Sequence, residues 1–144
     1  MKALIWYCKK FKISDVKKST RMKPIIQDLE ENLDEKKVVV PWVTIESHKD
    51  ENFFSDFLND LKIVADKFKT KKIILCPFAH FASKIPSKEI SFEIFCNLAD
   101  YLIKNGFEVK KVHFGSYKNV LLSSPASEYQ VMFRSYSKEF IRKK

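Results

Sequence analysis

The feature that most constrains the fold is an alternation of short apolar runs with amphipathic segments over residues 38–113. Residues 38–46, 73–76 and 107–113 are predicted strands, since they are rich in β-branched and other apolar side chains. Residues 51–69 and 87–105 are predicted helices, because their large apolar residues recur at helical spacing. Two consecutive strand–helix–strand units place parallel strands in one sheet with helices packed on it. The alternation therefore predicts an α/β fold.

The flanking regions add strands to this sheet. Residues 3–8 are a predicted N-terminal strand, and residues 9–35 are polar enough to predict a long loop with some irregular or strand structure. Pro41 predicts a strand that is irregular, bulged or at an edge there, since proline cannot donate to a ladder. Residues 119–123 and 128–136 predict a hairpin across residues 124–127. We expect one domain, residues 1–144, with a mixed sheet.

Helix boundaries are marked by capping residues. Ser87 is a predicted N-cap of the second helix. Gly106 is one of only two glycines in the chain and fits the position just after that helix ends. So few glycines also exclude a glycine-rich phosphate loop.

Charge and cysteine content narrow the function classes. The formal net charge is +9, from 27 basic and 18 acidic residues, which favours a polyanionic partner, nucleic acid first, over a merely solubilising surface. The three cysteines (Cys8, Cys76 and Cys96) are widely spaced in apolar contexts, so reduced core thiols are expected rather than disulfides. We find no signal peptide and no transmembrane-length apolar run, and expect a cytoplasmic location without membrane association.

Two short segments carry the residues that bear on chemistry, and each follows a predicted strand. The first is Pro77, Phe78, Ala79 and His80; the second includes Gly115, Tyr117 and Lys118. Ends of adjacent strands in an α/β sheet are where ligands usually bind. Both segments therefore point to one crevice.

Several roles are open to these side chains. His80 can act as a general base, bind a substrate group, or stabilise its own loop, and spacing alone favours the last. Lys118 can supply a cation to a phosphate or a polarised carbonyl, or be a surface lysine; Tyr117 can stack on a base or donate a hydrogen bond. Gly115 is expected to serve a backbone need such as a positive φ. Cys76 and His80 have no second pair of metal ligands, so no metal site is expected.

The two segments, in this order and separation, resemble the N-terminal editing domain of archaeal threonyl-tRNA synthetases. That family shows a Pro-Phe-Ala-His segment after one strand and a Phe-Gly-Tyr-Tyr-Lys-like segment after another. Weaker similarity covers nearly the whole chain. It includes residues 39–46, ending in Glu46, and Arg134 near the end of the last strand.

The resemblance implies a D-aminoacyl-tRNA deacylase-like fold and hydrolytic editing of Ser-tRNA(Thr), with no cofactor. It implies that His80 lines the aminoacyl pocket and that Tyr117 and Lys118 position substrate and water, with Lys118, His80 and Tyr117 forming the catalytic set. Pro77, Phe78, Ala79, Gly115 and Glu46 would bind substrate.

The resemblance also implies partners. These are the 3′ end of tRNA(Thr) carrying serine, the catalytic part of threonyl-tRNA synthetase in cis or in trans, and a second copy of the chain in a homodimer. The terminal ribose hydroxyl would help to activate the attacking water.

The sequence differs from the family pattern at three places. Tyr7, Cys8 and Lys9 stand where His-Ser-Asp is common, Ser116 replaces the first tyrosine of the Tyr-Tyr-Lys run, and Val131 occupies a position that is acidic in the family on ungapped matching. Glu128 or Gln130 would substitute for the acid if the hairpin register differs. Two alternatives are therefore a tRNA-binding module of the same fold without activity, and a D-aminoacyl-tRNA deacylase.

Overall fold

The computed structural model describes residues 1–18 and 30–137. Within these residues, six strands and two α-helices follow in the order β1 (Lys2–Lys18), β2 (Leu33–Thr44), α1 (Phe54–Phe68), β3 (Lys72–Pro77), α2 (Lys88–Lys104), β4 (Glu108–Lys111), β5 (Ser116–Ser123) and β6 (Val131–Ser135). A short 3₁₀ helix, His48–Phe53, leads directly into α1.

The strands form one mixed sheet in the order β4-β3-β2-β1-β5, with β6 also paired to β1. The two strand–helix–strand units give parallel pairs, β2 with β3 and β3 with β4. Strand β1 is antiparallel to β2, β5 and β6. The predicted α/β fold with a mixed sheet and packed helices is confirmed.

Alternating side chains of the central strands divide the interior into two apolar clusters. On β3, Ile73 and Leu75 join the cluster that contains α1 and α2, whereas Ile74 and Cys76 join a smaller cluster with Phe11 and neighbouring strand residues. This alternation follows from the two-residue period of a strand. Both faces of β3 are therefore buried, as its short apolar sequence predicts.

Both ends of α2 match the sequence prediction. The Ser87 hydroxyl accepts a hydrogen bond from the Ile90 N–H at 3.3 Å, and Gly106 follows the C-cap with φ +93°. Because the N-cap fixes where α2 begins, it also fixes which residues of the first turns face the sheet.

The prediction of a loop over residues 9–35 is wrong for most of the described part. Strand β1 continues to Lys18 and pairs with β2, for example Lys10 with Lys36 and Lys12 with Asp34. Phe11 and Ile13 are buried and alternate with Lys10 and Lys12 along the strand. The lysines make the segment polar on average, so its composition indicates a loop although it is a half-buried strand. The rest of the predicted loop, residues 19–29, lies outside the described residues.

Of the alternatives predicted at Pro41, an irregular, bulged or edge strand, the structure shows an irregularity and not an edge. Strand β2 lies between β1 and β3, and Pro41 pairs with Ile5. The parallel ladder joins Val39 to Ile73 and next joins Trp42 to Cys76, so Pro41 falls in a gap of that ladder. The irregularity expected of proline is thus accommodated inside the sheet.

The predicted hairpin of residues 119–123 and 128–136 is wrong as well. Strand β5 pairs with the second half of β1, and β6 pairs with its first residues, Lys2 to Trp6. The connection between them is anchored at Tyr7, whose carbonyl accepts from the Ser124 hydroxyl and whose N–H donates to the Gln130 carbonyl. The chain does turn between β5 and β6, but these two strands pair with β1 and not with each other.

Candidate functional site

A cavity of about 700 Å³ opens at the carboxyl ends of β2 and β3, between the first turns of α2 and the start of β5. Its position agrees with the rule that ligands bind outside the carboxyl ends of parallel strands. The lining residues are Trp42, Val43, Ile45, Pro77, Phe78, Ala79, His80, Ile85, Lys88, Ser91, Phe95, Phe114, Gly115, Ser116, Tyr117, Lys118 and Val120.

The cavity brings together most of the residues that the sequence singled out. The segment after β3 and the segment that opens β5 lie on the same cavity, and the residues they contribute are Pro77, Phe78, Ala79, His80, Gly115, Tyr117 and Lys118. Glu46 lies elsewhere, beyond the end of β2, and binds other groups. The roles assigned to all eight residues remain predictions.

The cavity has a buried floor and an exposed rim. The floor consists of Val43, Ile45, Ser91 and Phe95, each at most 6% exposed. The rim includes Tyr117, which is 71% exposed, and His80, which is also exposed. A ligand can therefore be buried at one end while its other end stays in contact with solvent.

The segment after β3 is fixed to the end of β2 by two hydrogen bonds, one donated and one accepted by Phe78. The Phe78 N–H donates to the Val43 carbonyl at 2.9 Å, and the Thr44 hydroxyl donates to the Phe78 carbonyl. Thr44 is fully buried, so no water competes for this bond. Sequence reasoning missed Thr44; its only signal is a hydroxyl at the end of an otherwise apolar strand.

Aromatic contacts hold His80 at the rim. The Phe78 ring packs edge-on against Trp42, with centroids 5.8 Å apart, and against the His80 imidazole, with centroids 4.9 Å apart. Edge-to-face packing of this kind contributes about 0.5–1.5 kcal/mol beyond the area it buries. The imidazole is thus oriented on one side while remaining open to a ligand on the other.

The turn before β5 is held by its own polar contacts. Gly115 has φ +74°, a conformation that side chains disfavour, as the sequence prediction for this glycine expected. The buried His113 places its Nδ1 3.0 Å from the Ser116 hydroxyl, and its Nε2 lies 3.7 Å from a carboxylate oxygen of Glu31. The contacts of His113 therefore stabilise the turn that positions Tyr117 and Lys118 at the cavity.

Lys118 is a half-buried cation on the cavity wall. Its ammonium donates to the Ser116 carbonyl at 3.1 Å. Burial lowers the pKa of Lys118, and the neighbouring Cys76 sulfur opposes that shift. A partly desolvated ammonium interacts more strongly with developing negative charge than a solvated one. The wall of the cavity therefore carries a positive charge suited to an oxyanion.

Ser91 lines the cavity and was also missed by sequence reasoning. It lies in the first turns of α2 and is 6% exposed. Within residues 1–18 and 30–137, its hydroxyl oxygen has no hydrogen-bond partner. The only signal in the sequence is a lone hydroxyl on the apolar face that also carries Phe95 and Leu98.

Glu46 belongs to a charged cluster at the start of β1. Its carboxylate lies 2.9 Å from the Met1 ammonium and 3.2 Å from the Lys2 Nζ. Burial raises the pKa of Glu46, but the hydrogen bonds and charges of Met1 and Lys2 outweigh it, so the pKa is lowered overall. Asp50 accepts from the same ammonium at 3.1 Å and from the Glu46 N–H at 2.7 Å. These contacts tie the end of β2 to β1.

The polar side chains of the cavity can act on an acyl group through charge and hydrogen bonds. Over the described ranges, 1–18 and 30–137, we find no group of three or more His, Cys, Asp or Glu residues placed to hold a metal. Neither described helix has the length and apolar character needed to cross a membrane. What the cavity offers is the two ammonium groups of Lys88 and Lys118, a phenol and an imidazole beside a buried floor.

Comparison with known proteins gives one family. Residues 1–135 match the model of the archaea-specific editing domain of threonyl-tRNA synthetase. The chain is 35% identical over 66 residues to the threonine–tRNA ligase of Thermococcus onnurineus, and this match covers 46% of this chain and 10% of that protein. It is 25% identical over 131 residues to the threonine–tRNA ligase of Methanosarcina barkeri, and this match covers 87% of this chain and 20% of that protein.

A shorter relative is also similar. The threonine–tRNA ligase editing subunit of Saccharolobus solfataricus is 28% identical over 88 residues, which cover 61% of this chain and 22% of that protein. In all three comparisons, the matched region is no more than about a fifth of the relative's length.

Proposed function

The chain belongs to the archaea-specific editing domain family of threonyl-tRNA synthetase, and on this premise we propose that it hydrolyses the ester between serine and the 3′ end of tRNA(Thr). It is thereby an aminoacyl-tRNA deacylase that edits mischarged tRNA. The observation that carries the proposal is the meeting of His80, Tyr117 and Lys118 on one cavity at the ends of parallel strands.

The proposal answers a physical limit on amino-acid selection. Serine differs from threonine by one methyl group, and a missing methyl changes binding by only about 1–3 kcal/mol. A site built to accept threonine therefore charges serine at an appreciable rate. A second site that hydrolyses the seryl ester supplies the missing discrimination.

In the proposed reaction, a water molecule attacks the carbonyl carbon of the seryl ester. The adjacent ribose hydroxyl of the terminal nucleotide orients the water and relays its proton. The resulting oxyanion collapses, the bond to the ribose oxygen breaks, and that oxygen takes up a proton. The products are free serine and a tRNA with both terminal hydroxyls restored.

Each site residue has a proposed part in this reaction. The Lys118 ammonium stabilises the oxyanion and orients the water. His80 lines the aminoacyl pocket, and Tyr117 positions the substrate at the rim. Main-chain groups of Pro77 and Ala79 contact the aminoacyl end, since hydrogen bonds from β2 hold that segment in place.

The other three residues have proposed supporting parts. The positive φ of Gly115 allows the turn that places Tyr117 and Lys118 at the cavity, and the Phe78 ring orients the His80 imidazole. Glu46 contributes by fixing the end of β2 through its ion pairs.

We propose tRNA(Thr) and the catalytic part of threonyl-tRNA synthetase, in cis or in trans, as partners in the cytoplasm. The net charge of +9 suits the phosphate backbone of tRNA. If Lys and Arg side chains contact phosphates, affinity for tRNA falls steeply as salt concentration rises.

We propose a homodimer formed through the edge of the sheet. Strand β5 is at one end of the strand order and exposes Leu121 (52%) and Leu122 (36%), and β6 on the same side of β1 exposes Phe133 (50%). Exposed apolar side chains on an edge strand are typical of an association surface. Analytical ultracentrifugation of the chain and of its Leu121→Lys variant tests this: a monomer for both would contradict it.

The test of function is deacylation of Ser-tRNA(Thr) compared with Thr-tRNA(Thr), and of L-seryl with D-seryl esters on the same tRNA. Faster loss of the L-seryl ester supports editing. Faster loss of the D-seryl ester would indicate a D-aminoacyl-tRNA deacylase instead. Salt-sensitive tRNA binding without hydrolysis would indicate a binding module, the alternative favoured by Val131 on β6.

A further inference from the structure

A serine, a histidine and a glutamate are linked at the turn before β5. The Ser116 hydroxyl lies 3.0 Å from His113 Nδ1, and His113 Nε2 lies 3.7 Å from a carboxylate oxygen of Glu31. A hydroxyl, an imidazole and a carboxylate in this order are the groups by which an enzyme activates a serine nucleophile. The carboxylate is at ion-pair distance, so it acts on the imidazole through its charge.

Main-chain hydrogen bonds bring Glu31 to the imidazole. The Glu30 N–H donates to the Lys111 carbonyl at 2.9 Å, and the His113 N–H donates to the Glu30 carbonyl at 3.0 Å. Glu30 also forms a parallel bridge with Val112. These bonds align the segment of Glu31 with the segment of His113, so long-range pairing holds the carboxylate near the buried ring.

Ser116 shares the cavity with Lys118. Both residues are partly exposed and line the cavity. They alternate along β5 with the exposed Tyr117, so their side chains leave the same face of the strand. The Lys118 ammonium donates to the Ser116 carbonyl at 3.1 Å. A cation is thus held close to the hydroxyl, where it can stabilise the negative charge on an ester carbonyl that the hydroxyl attacks.

We propose that Ser116 is a nucleophile and that the cavity hydrolyses short carboxylic esters through an acyl-enzyme, without tRNA. The Ser116 oxygen bonds to the carbonyl carbon while its proton passes to His113 Nδ1, and the Glu31 carboxylate stabilises the imidazolium. The oxyanion beside Lys118 collapses, the bond to the alcohol oxygen breaks, and that oxygen takes the proton from Nδ1. Water then attacks the acyl group and gives a proton to Nδ1. The acid leaves as the Ser116 oxygen regains that proton.

This activity goes beyond the proposed editing reaction and does not depend on it. In editing, the ribose hydroxyl of the tRNA relays the proton of the attacking water, and a simple ester has no such hydroxyl. His113 is a base that the chain itself supplies. The apolar floor residues Val43, Ile45 and Phe95 suit a short alkyl chain on the acyl group.

The first experiment treats the wild-type chain with a fluorophosphonate, which bonds to an activated serine oxygen with loss of fluoride. Peptide mass spectrometry should find the phosphonyl group on Ser116. Ser83 is exposed and outside the cavity lining, so Ser83→Ala is the control and should label like the wild type. Glu31→Gln changes a side chain that is 45% exposed and should slow labelling about 1.5-fold to fivefold, the effect of one screened ion pair.

The second experiment measures turnover of p-nitrophenyl butyrate. After an acid quench, the wild-type chain should carry one butyryl group on the peptide that contains Ser116. Ser116→Ala should lose this group and at least nine-tenths of the hydrolysis rate, with thermal unfolding as the check on its fold. Ser116→Cys tests access to the position directly. Its introduced thiol, beside an imidazole, should react with iodoacetamide faster than the half-buried Cys96 does.

Several outcomes would overturn the assignment. These are no phosphonyl group on Ser116, labelling of Ser83 at the same rate, an unchanged labelling rate in Glu31→Gln, unchanged ester hydrolysis in Ser116→Ala, or an introduced thiol slower than Cys96. Both experiments are done without tRNA. A chain that hydrolyses the butyrate ester through Ser116 but leaves Ser-tRNA(Thr) intact therefore refutes only the proposed function, and the reverse result refutes only the role of Ser116.

Discussion

Replacing Lys118 by alanine removes the one charge that the proposed mechanism places against the oxyanion. The ammonium is half-buried and held by the Ser116 carbonyl at 3.1 Å. At a separation of 4 Å, unit charges interact by about 1 kcal/mol in water and about 4 kcal/mol at the effective dielectric near a protein surface. These values correspond to rate changes of about fivefold and about a thousandfold. Half-burial lies between the limits, so we expect a loss of about tenfold to several hundredfold.

The assay is single-turnover deacylation of Ser-tRNA(Thr) with enzyme in excess, which separates the chemical step from tRNA binding. Lys84→Ala is the matched control, because Lys84 is exposed and outside the cavity lining. The control removes the same charge and should leave the single-turnover rate near that of the wild type. Equal rates for Lys118→Ala and the wild type, or equal losses for both variants, would refute the role of Lys118.

The pH profile sharpens this test. Because burial lowers the pKa of Lys118, its ammonium is lost on the alkaline side at a pH below the ordinary 10.5 of lysine. The rate ratio of wild type to Lys118→Ala should therefore fall as pH rises toward that value. A ratio that stays constant up to pH 10.5 would contradict a role for the charged form.

Three further predictions concern the supports of the site. Thr44→Val leaves the Phe78 carbonyl without its donor and should lower the free energy of unfolding by about 1–3 kcal/mol, measured by urea denaturation, with a lower deacylation rate; unchanged stability would contradict the anchoring role. Gly115→Ala places a Cβ at φ +74° and should cost about 1–2 kcal/mol of stability in the same assay while slowing single-turnover deacylation; a stable, fully active variant would contradict it. Because the folded protein lowers the pKa of Glu46, its carboxylate stabilises the fold at pH values above its unfolded pKa, and this stabilisation is lost as pH falls through the lower folded pKa. In Glu46→Gln, the free energy of unfolding should therefore fall less steeply with decreasing acidic pH than in the wild type. Identical pH dependence of the two proteins would contradict the ion pairs.

The parallel core and the cavity were predictable because both rest on strong local signals. Apolar periodicity identifies α1 and α2, and short apolar runs identify β2 and β3, so their parallel order follows from general rules of connection. The residues at the ends of these strands then meet without any further information. This is why the segments after β3 and before β5 line one cavity.

The parts that were not predictable depend on long-range pairing. Strand β1 runs to Lys18 although lysines dominate its exposed face, since Phe11 and Ile13 are buried only when β2 and β5 flank them. A turn between β5 and β6 predicts a hairpin, but both strands pair with β1 instead. Local turn chemistry fixes a change of direction and carries no information about which strand is the partner.

The two overlooked site residues have weak sequence signals for a related reason. A single hydroxyl, such as Thr44 at the end of a strand or Ser91 on a helix face, is common in cores and has no distinctive spacing. Only the structure identifies the carbonyl that Thr44 holds and the cavity that Ser91 lines.

The most direct test of the central claim is the ratio of single-turnover deacylation rates for Ser-tRNA(Thr) and Thr-tRNA(Thr) with the wild-type chain. We predict rapid loss of serine while threonine stays attached at close to the uncatalysed rate. Ser-tRNA(Thr) that remains as stable with excess protein as in buffer alone would contradict the claim, and so would equal rates for the two esters.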